Sequence, residues 1–101
     1  MIKEVVVYTF TQTDETKLRE LFNERDTWLK TLDGFVSIET IKSDTEVGQF
    51  IDYVEWRDMD VFSDASKQFE TASCAIEMMA ITDMKKTFVM SAGSVFSSSK
   101  K

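Results

Sequence analysis

Hydrophobic residues recur along this chain with two periods, and each change of period marks a boundary between predicted elements. Segments rich in β-branched and aromatic residues predict four strands: Ile2–Phe10, Phe35–Lys42, Gln49–Trp56 and Lys85–Ala92. Two other segments, Leu18–Leu32 and Phe62–Ile76, place their apolar residues on one side of a helix. The predicted order of elements is therefore β-α-β-β-α-β.

Local signals predict the ends of the two helices. Thr13 or Asp14 can accept the free amide protons at the start of the first helix, and Asp58 can do the same for the second. Gly34 is expected to end the first helix, since glycine adopts a left-handed conformation without a Cβ clash. The apolar residues after the second helix continue a helical pattern, with a break predicted near Ser73.

The third predicted strand is apolar on both of its faces. One face carries Phe50, Asp52, Val54 and Trp56, and the other carries Ile51 and Tyr53. The element order predicts an α+β, ferredoxin-like fold, in which a four-stranded antiparallel sheet carries both helices on one face. Because the helices cover only that face, the apolar residues of the other predict a homodimer formed through the open sheet face.

Composition and charge narrow the possible classes of function. The 101 residues predict a single domain over residues 1–96, followed by a disordered polar tail at 97–101. A formal net charge of -6 argues against nucleic acid and anionic membrane surfaces as partners. The chain has no apolar run of ~20 residues and no signal-peptide pattern, and its single cysteine fits a reducing compartment. A cytoplasmic location is therefore expected.

The chain contains no histidine, which excludes several kinds of catalytic site. Neither a Ser-His-Asp nor a Cys-His nucleophile can form, and zinc cannot be held by imidazole ligands. Asp58, Asp60 and Asp64 form an acidic cluster that could be interpreted as a metal site, but without a histidine or a third fixed ligand they fit a charge cluster at a helix start better. General acid–base chemistry is left to Asp, Glu, Lys or Tyr.

Four features resemble the antibiotic biosynthesis monooxygenases, a family of dimeric α/β-barrel proteins. They are the element order, Leu32–Phe35 after the first helix, Tyr53–Trp56 at the end of the third strand, and Asp58–Phe62 at the start of the second helix. The resemblance covers roughly Ile2 to Phe96 and implies a dimeric α/β barrel. It also implies a cofactor-independent monooxygenase, which acts without metal or flavin on a small aromatic or polyketide-like molecule.

The resemblance assigns expected roles to particular positions. In the cofactor-free oxygenases an Asn four residues before the strand-ending Trp lines a cavity between sheet and helices, together with that Trp. The matching residues here are Asp52 and Trp56, and Phe62 stands where the family has an aromatic residue six positions after the Trp. The haem-degrading branch requires a histidine on the second helix, which this chain lacks. The resemblance thus favours the oxygenases over haem degradation.

Asp52 has two interpretations. On the helix-covered face it would be partly desolvated with a raised pKa, which suits a general base that removes an acidic phenol proton. Alternatively it bonds to a lysine or to a hydroxyl partner such as Thr40 or Ser37 across the hairpin, and only fixes the strand register. The first interpretation predicts a catalytic group and the second a structural one.

Five aromatic residues are candidates for binding a small apolar or aromatic ligand: Trp56, Phe50, Phe62, Trp28 and Tyr8. Trp56 would stack on a flat ring, whereas Tyr8 could hold a ligand oxygen. Both also have an interpretation as ordinary core residues. The alternative for the whole chain is a dimeric module that binds a small ligand, or serves a structural purpose, without chemistry.

Overall fold

The computed structural model describes all 101 residues and contains four strands and three helices. In chain order these are β1 (Ile2–Thr9), α1 (Glu15–Leu29), β2 (Phe35–Lys42), β3 (Gln49–Trp56), α2 (Met59–Phe69), α3 (Ser73–Ala80) and β4 (Val89–Gly93). The strands form one antiparallel sheet in the order β2-β3-β1-β4, and the helices pack against one face of it. The predicted α+β, ferredoxin-like fold is confirmed, as is the helix break near Ser73. None of the helices has the length and hydropathy needed to cross a membrane.

Helix α1 begins where its sequence predicts but ends earlier. Asp14 caps it by accepting the amide protons of Thr16 and Lys17. The helix stops at Leu29 rather than Leu32, because the following amides bond three residues back and tighten the last turn. Gly34 then adopts a φ of 88°, which turns the chain into β2.

Strand β4 is shorter than predicted at its start. The side chain and carbonyl of Asp83 accept hydrogen bonds from the amides of Lys85 and Lys86, which holds this segment in a turn. Pairing with β1 begins only at Val89 and continues to Gly93.

The register of β1 on β3 decides which polar residues share the helix-covered face. Val6 lies opposite Asp52, and Glu4 lies opposite Val54. Because opposed residues of an antiparallel pair point to the same side, Glu4 and Asp52 both face the helices, as does Trp56. All three are buried. The predicted alternation of β3 is confirmed.

Two apolar clusters fill the space between the sheet and the helices. The first has Tyr8, Phe10, Leu18, Phe50 and Met78 at its centre, and the second has Leu29, Val54, Trp56 and Ala65. The opposite face of the sheet has no such cover. There Tyr53 and Val89 remain 46% and 51% exposed, beside an ion pair between Lys3 and Glu55.

Candidate functional site

A cavity of about 820 Å³ lies between the sheet and helices α2 and α3. Hydrophobic side chains make up 17 of its 25 lining residues. A space of this size matches pockets that take small organic ligands, which are typically ~300–1,000 Å³. The charged lining residues are Glu4 and Asp52 on the sheet, Arg25 on α1, Lys67 on α2, and Glu70 directly after α2.

Asp52 lies on the cavity wall with both carboxylate oxygens hydrogen-bonded. Tyr8 and Thr40 donate their hydroxyl protons to Oδ1 at 3.0 and 2.7 Å, and Arg25 Nη1 donates to Oδ2 at 3.0 Å. The carboxylate is only 7% exposed. The bond to Thr40 across the hairpin is the one that the structural interpretation of Asp52 predicts.

Arg25 is the residue of this network that sequence reasoning missed. It is 4% exposed, and besides Asp52 its guanidinium contacts Asp26 Oδ1, Thr40 Oγ1 and the Tyr8 hydroxyl. The Phe22 ring lies 4.8 Å below it. A sequence signal was present, since Arg25 falls seven residues after Leu18, on the apolar side of α1. A long charged residue at such a position indicates a buried partner.

Burial dominates the electrostatics of this network. It raises the pKa of the Asp52 carboxyl above its ordinary value, although the Arg25 charge and the Thr40 and Tyr8 hydrogen bonds oppose the rise. Burial also raises the pKa of the Tyr8 hydroxyl, and the negative charge of Asp52 adds to that effect. Tyr8 therefore stays protonated and acts as a donor.

Glu4 is a second buried carboxylate in the cavity and was also missed. It is 8% exposed, and its Oε1 accepts a hydrogen bond of 2.9 Å from Trp56 Nε1. It forms no ion pair. Burial raises the pKa of Glu4, as does the Asp52 charge, whereas the Trp56 hydrogen bond lowers it. A sequence signal was present, because Glu4 lies two residues before Val6 on a predicted strand and therefore points to the same face of the sheet.

Most of the predicted site residues line this cavity. Asp52, Tyr8, Trp28, Trp56 and Phe62 do so, from strands β1 and β3 and helices α1 and α2. Phe50 does not. It lies in the neighbouring core, with its ring centroid 5.2 Å from that of Phe22 and 6.1 Å from that of Tyr8. Its contact with the cavity is thus indirect, through the Tyr8 ring.

Trp56 is held firmly in the cavity wall. Its ring packs edge-to-face against Phe35 and Phe62, with centroid separations of 5.7 and 6.5 Å. The residue is 3% exposed, so little of its surface is accessible from the cavity. No group of three acidic or cysteine side chains comes together in a geometry that could hold a metal ion.

Several solved structures share this fold. SnoaB, a cofactor-independent oxygenase from Streptomyces nogalater, is 15% identical with a TM-score of 0.81, over 96% of this chain and 94% of that chain. An antibiotic biosynthesis monooxygenase is 10% identical with a TM-score of 0.78, over 96% and 100% of the two chains. Rv0793 from Mycobacterium tuberculosis is 10% identical with a TM-score of 0.68, over 98% of each chain.

Sequence comparison adds nothing to these structural similarities. No family model matches the chain, and no curated protein is significantly similar to it. Identities this low establish the fold and leave the activity open. The resemblance seen in the sequence is confirmed for the fold: this chain has the fold of the antibiotic biosynthesis monooxygenases.

Proposed function

We propose that this protein is a cofactor-independent monooxygenase that acts on a small aromatic or polyketide-like molecule in the cavity between the sheet and the helices. The observation that carries the proposal is an apolar cavity of about 820 Å³ with two buried carboxylates, Glu4 and Asp52, in its wall. The similarity to SnoaB, a cofactor-independent oxygenase, supports it. An apolar enclosure suits a flat aromatic ring, and a carboxylate within it suits removal of an acidic proton.

The proposed reaction oxidises an acidic methylene group, conjugated with a phenol, to a ketone. A carboxylate of the cavity takes one C–H proton, and the carbanion transfers its electrons to O₂ as a C–O bond forms. The peroxide receives the proton back from the carboxyl group. Loss of the second C–H proton then breaks the O–O bond and releases water. In sum, R₂CH₂ and O₂ give R₂C=O and H₂O, with O₂ as the oxidant.

The aromatic lining residues would position the ring of the substrate. Trp28 and Phe62 supply apolar surface on the helix side, and Trp56 borders the same space from β3. The Tyr8 hydroxyl already donates to Asp52, and its raised pKa keeps it protonated. In this proposal Tyr8 and Asp52 form a fixed polar wall against which a substrate oxygen is oriented.

One observation favours the second candidate, a dimeric small-ligand-binding module without chemistry. Asp52, the base expected from the family resemblance, has every oxygen occupied by donors, one of them the Arg25 guanidinium. The Arg25 charge opposes the rise that burial causes in the Asp52 pKa, and each oxygen would have to lose a donor before it could accept a proton. The enzymatic proposal therefore needs another proton acceptor in the cavity.

We also propose that two copies associate through the open face of the sheet. Its central residues are apolar, and Tyr53 and Val89 are about half exposed in the single chain. A two-fold arrangement would bury this apolar face on both copies at once. Lys3 and Glu55 lie beside these residues and present charges of opposite sign to a symmetric partner.

The test is turnover of a hydroxylated anthrone by the purified protein, followed by quinone absorbance and O₂ uptake. Anthrones oxidise slowly on their own, so an equal concentration of serum albumin is the control. We expect a rate well above that control, one O₂ consumed per quinone, and a single ¹⁸O atom in the product from ¹⁸O₂. Thermal stabilisation by the anthrone without any added rate would instead support the binding module.

A further inference from the structure

Glu4 is a carboxylate buried in an apolar cavity without a cation to neutralise it. Two cations line the cavity: Arg25 is committed to Asp52, Asp26, Thr40 and Tyr8, and Lys67 forms no ion pair with Glu4. Burying an unpaired carboxylate is costly, and structural carboxylates in cores are normally ion-paired. A group held at such a cost indicates a role other than packing.

The two oxygens of Glu4 are in different situations. Oε1 accepts the Trp56 Nε1 proton at 2.9 Å, whereas Oε2 has no partner within the protein. No fully buried side-chain oxygen lacks a partner, so Oε2 retains accessible surface, and Glu4 lines the cavity. Oε2 is therefore free to accept a proton from a molecule in the cavity.

Resting on the function proposed above, we infer that Glu4 is the proton acceptor of the cavity and that Trp56 is the residue that positions it. Oε2 takes the C–H proton of the substrate to give the carboxylic acid and returns it to the peroxide. Asp52 lies diagonally across the β1–β3 pair, where such neighbours are typically ~7–8 Å apart. It orients Tyr8 and does not titrate during the reaction.

Trp56 is suited to hold this carboxylate because it is itself immobile. Its ring lies between Phe35 and Phe62, so the direction of the Nε1–H bond is set by core packing. The hydrogen bond leaves Glu4 one defined orientation, with Oε2 turned away from the indole. Trp56 also stabilises the charged form of Glu4 and so opposes the rise in its pKa.

The charged groups that face Glu4 come from several elements. Asp52 on β3 raises its pKa, while Arg25 on α1 is neutralised by its own partners. Helix α2 and the residue that follows it contribute Lys67 and Glu70 to the cavity lining, and α3 and β4 contribute only uncharged residues. Because the base must be ionised, the rate should rise with pH through the raised pKa of Glu4.

The test compares Glu4→Gln with Glu20→Gln. Glutamine keeps an oxygen for Trp56 Nε1 but cannot accept a proton. Glu20 undergoes the same change at an exposed position on α1, away from both the cavity and the open face of the sheet. We expect Glu4→Gln to lower kcat by roughly 10²–10⁴-fold, the usual contribution of a general base, with KM nearly unchanged. Glu20→Gln should stay within about twofold of the parent protein, since surface substitutions away from such features change little.

A second variant tests the positioning residue. Trp56→Phe removes the Nε1–H donor and keeps an aromatic ring in the wall. We expect the acid limb of the pH–rate profile to move to higher pH, because Glu4 loses the hydrogen bond that favours its charged form. An unchanged limb would overturn the role of Trp56.

The carboxyl ¹³C resonance of Glu4 provides a readout that does not depend on turnover. We expect it to titrate above 4.5, the ordinary value for Glu, and higher again in Trp56→Phe. Titration at or below 4.5 overturns the inference whether or not the protein is active. An active parent with an equally active Glu4→Gln variant also overturns it while the oxygenase function stands. If the parent protein is inactive but the Glu4 pKa is raised, the proposed function is wrong and only the protonation behaviour inferred for Glu4 stands.

Discussion

Arg25 Nη1 lies 3.0 Å from Asp52 Oδ2, and both side chains are buried beneath the helices. The contact joins α1 to the middle of the sheet, and Thr40 extends it to β2 by accepting from Arg25 and donating to Asp52. Each donor of this network meets an acceptor, so the buried charges are compensated. The pair accounts for the position of Asp52 without any catalytic role.

Removing the cation should destabilise the protein strongly. Arg25→Met leaves Asp52 as an uncompensated buried charge, and we expect the free energy of unfolding to fall by about 3–5 kcal/mol. Urea unfolding measures the loss. The double variant Arg25→Met, Asp52→Asn should recover part of it, because the orphaned charge is gone. Strictly additive effects of the two substitutions would contradict a direct coupling between them.

We expect Glu4→Gln to raise the stability of the fold while it lowers activity. The folded-state pKa of Glu4 is raised, so its protonated form stabilises the fold below about pH 4.5 and that stabilisation is lost as the pH rises through the folded pKa. Glutamine is neutral at every pH. We therefore expect Glu4→Gln to raise the Tm by a few degrees at neutral pH, with the gain vanishing in acid.

Thermal unfolding at a pH of about 4 and a pH of about 7 provides that measurement, with Glu20→Gln as the matched control. The control should show no such pH-dependent gain, since Glu20 is exposed on α1. A Glu4→Gln variant that is less stable than the parent at neutral pH would mean that the Glu4 carboxylate stabilises the fold.

The open sheet face offers a test of self-association. Tyr53→Arg places a charge in the centre of the apolar patch, and in a two-fold dimer that charge would face the partner's patch. We expect sedimentation velocity at micromolar concentration to change from dimer to monomer, with the fold retained. Glu20→Arg, at an exposed position on α1, is the control and should remain dimeric. A monomeric parent protein would disprove the dimer.

Gly34 should be costly to replace. At a φ of 88° an added Cβ would lie 2.7 Å from a Val61 methyl group, so Gly34→Ala combines backbone strain with a clash against α2. We expect a loss of about 1–3 kcal/mol in the free energy of unfolding. Gly93→Ala is the control, because a Cβ there meets nothing within 4 Å. Equal effects of the two substitutions would contradict this explanation.

The fold could be predicted because its signals are local. Gln49–Trp56 alternates between two apolar faces, Asp14 and Asp58 cap helices, and the break near Ser73 divides the last helical segment. Each of these patterns depends on neighbours only a few residues away. Helix α1 ended before Leu32 because its last turn tightens, which depends on hydrogen bonds that no side-chain pattern specifies.

The sequence alone determined the order of the elements, the face on which Asp52 lies, and most of the aromatic residues in the cavity wall. Only the tertiary structure decided which carboxylate is neutralised and which is not. Arg25 reaches Asp52 across 27 residues of sequence, and Glu4 meets Trp56 across 52. The charge state and freedom of a buried acid depend on such distant partners, because desolvation and pairing are set by what packs around it.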